Sequence, residues 1–208
     1  MSERRQHWDQ VYRTRVPEQV SWYQPEARNS LELIRRAGPD CAAAIIDIGG
    51  GASTLVDSLV DADYRDVTVL DLAPDALAIA RARLGARADS VHWMTADILA
   101  VELPAARYDI WHDRAAFHFL TNPDDRARYV AQLRHALSPG GHLVMATFAL
   151  DGPPRCSGLD VIRYSAESLA DELGSGFELV ESVREEHRTP SGAIQRFQYS
   201  LLRDVSES

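Results

Sequence analysis

Four short clusters carry side chains able to do chemistry. In Asp47-Ile48-Gly49-Gly50-Gly51-Ala52-Ser53 an acid stands just ahead of a glycine run. Glycines let a backbone take positive φ and approach a ligand closely, and a plain strand-to-helix turn uses them in the same way. Asp71 and Asp97 each follow a short apolar segment. A carboxylate so placed accepts hydrogen bonds from hydroxyls, an amino group or an ammonium; its bland counterpart is a turn or helix cap. The fourth cluster is His112-Asp113-Arg114-Ala115-Ala116-Phe117-His118. There Asp113 or His118 can take a proton from a nucleophile, and Arg114 can hold an anion. The competing reading makes Asp113 and Arg114 a loop ion pair and His118 a packed histidine, and for His118 the packed role is favoured.

These clusters need elements that bring them together. Residues 43–48 read as a buried strand running into the glycines, with Ser53 or Thr54 capping a helix to about residue 62. A second strand covers 66–71, then Pro74 opens a helix that Gly85 ends. The third strand spans 91–94 and the fourth 108–112. Pro123-Asp124-Asp125 starts a helix to about 137, stopped by Ser138-Pro139-Gly140-Gly141, and 142–148 is an apolar fifth strand. A short helix over 166–173 precedes strands at 177–183 and 195–201, joined through Thr189-Pro190-Ser191-Gly192, a hairpin signal. Strands alternating with helices imply a parallel sheet. The expected fold is α/β: a Rossmann-like seven-stranded sheet, parallel except for the C-terminal β-hairpin, with helices on both faces. Ligands bind such sheets beyond the C-terminal strand ends, where strand order reverses. A single domain is expected, with an N-terminal helical and aromatic lid (1–40), a cofactor-binding core (41–150), and a substrate loop, helix and hairpin (151–208).

Composition removes several classes. The 208-residue chain has a formal charge of −9, which argues against a nucleic-acid binder and suits a small molecule or a basic protein partner. Every basic residue is arginine, so a Schiff-base lysine and a P-loop lysine are both excluded. No apolar run reaches the ~20 residues of a membrane helix. The start, Met1 to His7, has no apolar signal region, so a cytoplasmic protein without a membrane partner is expected. Cys41 and Cys156 form no zinc spacing, no metal is expected, and Cys41 reads as a small core residue. Between nucleotide cofactors the glycine loop discriminates. An NAD fingerprint would need a third glycine where Thr54 stands, and it has no use for an acid at 47. S-adenosylmethionine (SAM) offers an ammonium to Asp47, a ribose diol to Asp71 and an adenine amino group to Asp97, with the N–H of Ile98 donating to the ring. An NAD-dependent oxidoreductase or a nucleotide-binding regulatory domain is the distant alternative.

The stretch from Asp47 to Ser53 resembles the D/E-x-G-x-G-x-G motif of class I SAM-dependent methyltransferases, with Ser53 in place of the final glycine. Val69-Leu70-Asp71-Leu72 and Ala96-Asp97-Ile98 are similar to that family's ribose and adenine positions, and Leu137-Ser138-Pro139-Gly140-Gly141 to its turn before the fifth strand. The resemblance spans roughly residues 40–150 and implies SAM as cofactor, held by Asp47, Gly49, Gly51, Asp71, Leu72, Asp97 and Ile98. Asp113-Arg114, with Asn122-Pro123-Asp124-Asp125-Arg126, also resembles in part the D-R-G…N-P-x-D-R pattern of thiopurine S-methyltransferases, Ala115 replacing a glycine. That likeness places Arg114 near the substrate and implies a small, soft acceptor such as a thiol or selenol.

Trp8 and Tyr12, then Trp22 and Tyr23, form an aromatic preamble that can fold over the cofactor cleft and exclude water, or pack as a plain helix on the sheet edge. It is similar to preambles of small-molecule methyltransferases and of some protein-lysine methyltransferases. The expected activity is therefore methyl transfer to a small molecule, with a protein-lysine acceptor as the alternative. Asp113, Arg114 and His118 are the candidates on the acceptor side. The loop at 150–158 can shape the pocket through Arg155 and Cys156, or simply connect.

Overall fold

A computed structural model describes residues 3–206. Met1 and Ser2, part of the start used above to expect a cytoplasmic protein, lie outside the described residues. Strand β1 (Ala44–Ile48), helix α3 (Leu55–Asp61), strand β2 (Asp66–Asp71), helix α4 (Pro74–Leu84) and strand β3 (Val91–Thr95) follow the expected alternation, after helices α1 (Glu3–Thr14) and α2 (Arg28–Arg36). Strand β4 (Tyr108–Arg114), helix α5 (Pro123–Ala136) and strand β5 (Leu137–Phe148) complete the parallel body. Short strands β6 (Arg155–Cys156) and β7 (Leu159–Asp160), helix α6 (Ala166–Leu173), and strands β8 (Phe177–Arg188) and β9 (Ile194–Asp204) close the chain.

The seven-stranded sheet runs β3-β2-β1-β4-β5-β9-β8. β9 is antiparallel to both of its neighbours, so β8 points the same way as β1–β5 and a single strand is reversed. Order reverses between β1 and β4, which places the switch point directly after the Asp47 loop and the Asp113 loop. β1 is buried along its whole length, as a central parallel strand covered on both faces must be. Ile45 packs on one side with Leu33, Leu59 and Leu77 from α2, α3 and α4. Ile46 and Ile48 pack on the other with Tyr129, Leu133 and Leu169 from α5 and α6.

The structure departs from sequence expectation in several places, β8 among them, which runs on to Arg188. Extended backbone begins at Leu137 rather than His142, because Leu137 already pairs with Tyr108 before the register shifts. The segment at 150–158 is not bare loop: Ser157 and Gly158, both at positive φ, turn β6 onto β7. Cys41 is exposed rather than a core residue, since the buried strand starts only at Ala44.

One buried polar node ties β4 to α5. The Tyr129 hydroxyl donates to Asp113 Oδ2 at 2.6 Å and accepts from Trp111 Nε1 at 2.9 Å. Asp113 Oδ1 accepts from the Ala116 N–H at 2.9 Å and from the Phe117 N–H at 3.2 Å. Burial pushes the Asp113 carboxyl up to about 6, against the Tyr129 hydroxyl and these amides, which favour the charged form. Tyr129→Phe strips one buried carboxylate and one indole of their partner. It should cost about 1–3 kcal/mol of stability at pH 8, seen as a lowered Tm in calorimetry; an unchanged Tm would show that the node carries no stability.

Candidate active site

The C-terminal ends of β1 to β4 open on one cleft of about 910 Å³. Its floor is Ile48, Gly49, Asp71 and Leu72, and Asp97 and Ile98 close the end beyond β3. Trp8 and Tyr12 from α1, with Trp22, roof it. The ring centroids of Trp8 and Trp22 are 5.7 Å apart and those of Trp8 and Phe119 5.1 Å, both edge-on. Tyr23 faces a second cavity of about 530 Å³, which shares Tyr12, Trp22, Gly49 and Arg114 with the first. Asp47 lines that second cavity rather than the main cleft.

The glycine loop is shaped for close approach. Gly49 takes φ +67° and Gly51 φ +38°, conformations that side chains rarely adopt. A Cβ at Gly51 would stand 2.6 Å from Asp71 Oδ2, so a larger residue would displace the carboxylate from the cleft. Ser53 does not interrupt this turn; its hydroxyl accepts from the Leu55 N–H at 3.1 Å, while the N-cap of α3 is Thr54, whose side chain makes no capping bond.

Asp71 Oδ1 accepts from the Ala73 N–H at 2.8 Å, the turn role, while the side chain still borders the cleft. Burial pushes its carboxyl up to about 7, opposed by that amide and reinforced by repulsion from Asp47 and Asp9. Asp97 likewise does both: Oδ1 accepts from the Leu99 N–H at 3.0 Å, and Oδ2 pairs with Arg4 of α1 at 3.3 Å. Asp47 Oδ1 lies 2.6 Å from His112 Nδ1, whereas Asp47 Oδ2 is buried with no hydrogen-bond partner. An unpartnered buried carboxylate oxygen, a diol-ready acid and a cradle only glycine permits fit a cationic nucleoside cofactor.

On the acceptor side the structure separates the three candidates. Arg114 borders both cavities, while Asp113 and His118 border neither. Asp113 is turned into the node with Tyr129. His118 is fully buried, its Nδ1 accepts from the Phe148 N–H at 3.3 Å, and burial, then Arg114, push its pKa down to about 3. Arg114 is not paired with Asp113. Its Nε donates to the Tyr199 hydroxyl at 2.8 Å and its Nη1 to the Trp22 carbonyl at 3.0 Å. Its guanidinium carbon sits 4.4 Å over the Phe197 ring. Nη2 is buried without a hydrogen bond, 3.8 Å from Glu185. Ala115 takes φ +67°, the left-handed conformation that glycine adopts freely. Cys156 also lines the cleft, while Arg155 points to solvent. Sequence reasoning missed Phe119, directly after the predicted cluster, and Arg4, Glu185, Phe197 and Tyr199, which come from distant parts of the chain.

This sheet order and cleft define the class I methyltransferase architecture. Residues 45–141 match the family described as a methyltransferase domain. Over 155 residues the chain is 26% identical to the ubiquinone/menaquinone biosynthesis C-methyltransferase UbiE of Roseobacter denitrificans, across 70% of this chain and 61% of that one. The chain thus spans less than two thirds of that relative's length. Human EEF1A lysine methyltransferase 2 is 22% identical over 193 residues, 86% of this chain and 76% of that one. Among solved structures, the N-methyltransferase NodS from Bradyrhizobium japonicum WM9, in complex with S-adenosyl-L-homocysteine, matches with a TM-score of 0.72 at 20% identity, covering 96% of this chain and 100% of that one. Residues 45–141 are thus similar to a methyltransferase domain, and the fold is the one that NodS shows with S-adenosyl-L-homocysteine bound. Among the described residues no helix is long and apolar enough to cross a membrane.

The raised Asp71 carboxyl sets a pH dependence. Below about 7 it is protonated, and above it is ionised and able to accept from two hydroxyls. SAM affinity should therefore improve as pH rises, by up to about tenfold per unit below pH 7, and level off above. Titration calorimetry from pH 5.5 to 8.5 checks this. Asp71→Asn should flatten the profile, and a profile unaffected by that change would remove Asp71 from cofactor binding.

Proposed function

We propose that the protein transfers a methyl group from SAM to a small, soft nucleophile that arrives as an anion, thiolates and selenolates being the first candidates. The observation that carries this reading is Arg114. It brings a fixed cation, with one N–H₂ that makes no hydrogen bond and only a 3.8 Å ion pair to Glu185, into an acceptor region otherwise walled by Trp22, Phe119, Leu120 and Phe197. Asp47 faces the cofactor's ammonium, Asp71 its ribose and Asp97 its adenine, with the N–H of Ile98 alongside; Gly49 and Gly51 admit the backbone, and Leu72 lines the floor. Trp8, Tyr12, Trp22 and Tyr23 cover the bound molecule. When bound, SAM supplies a methyl carbon already activated by its sulfonium.

Arg114 then has two tasks. It anchors the acceptor in line, and it lowers the cost of bringing the deprotonated nucleophile out of water. Asp113 and His118 border neither cavity, so in this reading they support the walls and the proton leaves to solvent before the acceptor enters. A lysine ammonium would meet the Arg114 guanidinium in the same pocket, a like-charge penalty that disfavours the protein-lysine alternative suggested by the human relative. The proposed setting is cytoplasmic, with neither nucleic acid nor membrane as partner.

Methyl-labelled SAM, incubated with the protein and a lysate separated by size, tests the reading. Label should enter the small-molecule fraction; label on protein lysines would overturn it. With purified thiol acceptors, Arg114→Gln should lower kcat/KM by roughly 10- to 100-fold, the loss of a hydrogen bond to a charged partner. SAM affinity should stay within about threefold.

A further inference from the structure

Asp47 on β1 and His112 on β4 are direct partners in the parallel register. Each is only 2% exposed. His112 Nδ1 lies 2.6 Å from Asp47 Oδ1, and its Nε2 lies 2.8 Å from the Ser30 hydroxyl oxygen. Ser30 is fully buried on the inner face of α2 beside Leu33 and Ile34, where an apolar residue would be expected. The second oxygen of Asp47 has no partner, and its side chain lines the cavity under the glycine loop.

One assignment of hydrogens satisfies this chain of bonds. With Asp47 ionised and His112 neutral, the carboxylate only accepts, which puts the imidazole proton on Nδ1. Nε2 is then an acceptor, and the Ser30 hydroxyl, which has no other acceptor among the described residues, donates to it. With this assignment every polar atom of the three side chains is satisfied except Asp47 Oδ2.

We propose that Ser30 and His112 are positioning residues for the amino-acid end of the cofactor. Ser30 holds His112 as the Nδ1–H tautomer, His112 clamps Asp47 Oδ1, and Asp47 Oδ2 is left aimed at a primary ammonium. This rests on the assignment of Asp47 to the cofactor made above. It gives α2, which does not border the cleft, a direct part in recognition. Without the clamp the buried carboxylate is free to rotate away or to be neutralised by a proton.

Two probes separate positioning from packing: S-adenosylhomocysteine, which has the ammonium, and 5′-methylthioadenosine, the same thioether nucleoside without the amino-acid portion. Their dissociation constants are compared by calorimetry for Ser30→Ala, His112→Asn, His112→Phe and Asp47→Asn, each first checked for a cooperative thermal transition. His112→Phe should weaken S-adenosylhomocysteine by about tenfold or more and Ser30→Ala by about three- to tenfold, in line with hydrogen bonds to charged groups. His112→Asn, whose amide N–H can replace Nδ1–H, should stay within about threefold. Affinity for 5′-methylthioadenosine should hold within about twofold throughout. Equal weakening of both ligands would reduce the relay to packing and overturn the proposal. If Asp47→Asn weakens S-adenosylhomocysteine but Ser30→Ala and His112→Asn or Phe do not, the positioning role alone falls. If Asp47→Asn leaves that affinity untouched, the assignment of Asp47 falls and the proposal with it. Should His112→Phe fail to fold, Ser30→Ala still decides.

Discussion

Asp47, Asp71 and Asp113 are carboxylates buried at the ends of three neighbouring strands, and the architecture around the cleft answers to the cost of keeping them there. Burying an ionised carboxylate is unfavourable unless donors or cations replace its water. The protein meets the cost differently at each. Asp113 is given a phenol and backbone amides. Asp47 is given a histidine on one oxygen only. Asp71 is given turn amides only, and its burial, reinforced by repulsion from Asp47 and Asp9, holds its proton to about pH 7. Across the three, Asp113 is the best supplied with donors and lines neither cavity, whereas Asp47 and Asp71, which line the cavities, are left short of them.

Strand geometry decides which of these groups reach the cleft. Side chains alternate along β4, so Asp113 shares the α5 face with Trp111, and His112 and Arg114 share the face covered by α2 and the N-terminal segment. Neighbours in sequence therefore serve different layers. Asp113 braces β4 against Tyr129, while Arg114 emerges between the roof and the C-terminal hairpin. The parallel register puts Asp47 opposite His112, a pairing that a one-residue slip would abolish.

Local signals made most of the fold legible. The glycine loop, Pro74, Gly85 and the Thr189–Gly192 turn are punctuation whose conformational cause lies in the residue itself, and β2 and α6 fall at the residues expected. The acids after successive strands were legible too, since each is a polar residue ending an apolar run. Ser30 was not, although a serine in phase with Leu33 and Ile34 on an apolar helix face is a visible oddity; nothing local says that a histidine 82 positions away is its partner. Glu185, Phe197 and Tyr199 were hidden for the same reason. They belong to the hairpin, whose alternating pattern says which face is buried but not that this face closes over Arg114. Cys41 was misread because the apolar run begins a few residues before the strand does.

The hairpin explains why a cation at the end of β4 can be both buried and available. Arg114 is held by the Tyr199 hydroxyl, the Trp22 carbonyl and the Phe197 ring, three groups of which none is a carboxylate. Its acidic neighbour, Glu185, is 3.8 Å from Nη2, and it is occupied by the Gln24 amide at 2.9 Å and by the Tyr199 hydroxyl at 3.1 Å. The charge is thus compensated at a distance while the side chain is locked by neutral contacts. A direct bidentate salt bridge would have consumed the forked N–H groups and left nothing for a ligand. The left-handed turn at Ala115 follows at once, directing the chain away and leaving the guanidinium at the cleft wall. Preorganised donors of this kind gain most where water is excluded, because the electrostatic attraction is not spent on reorganising water.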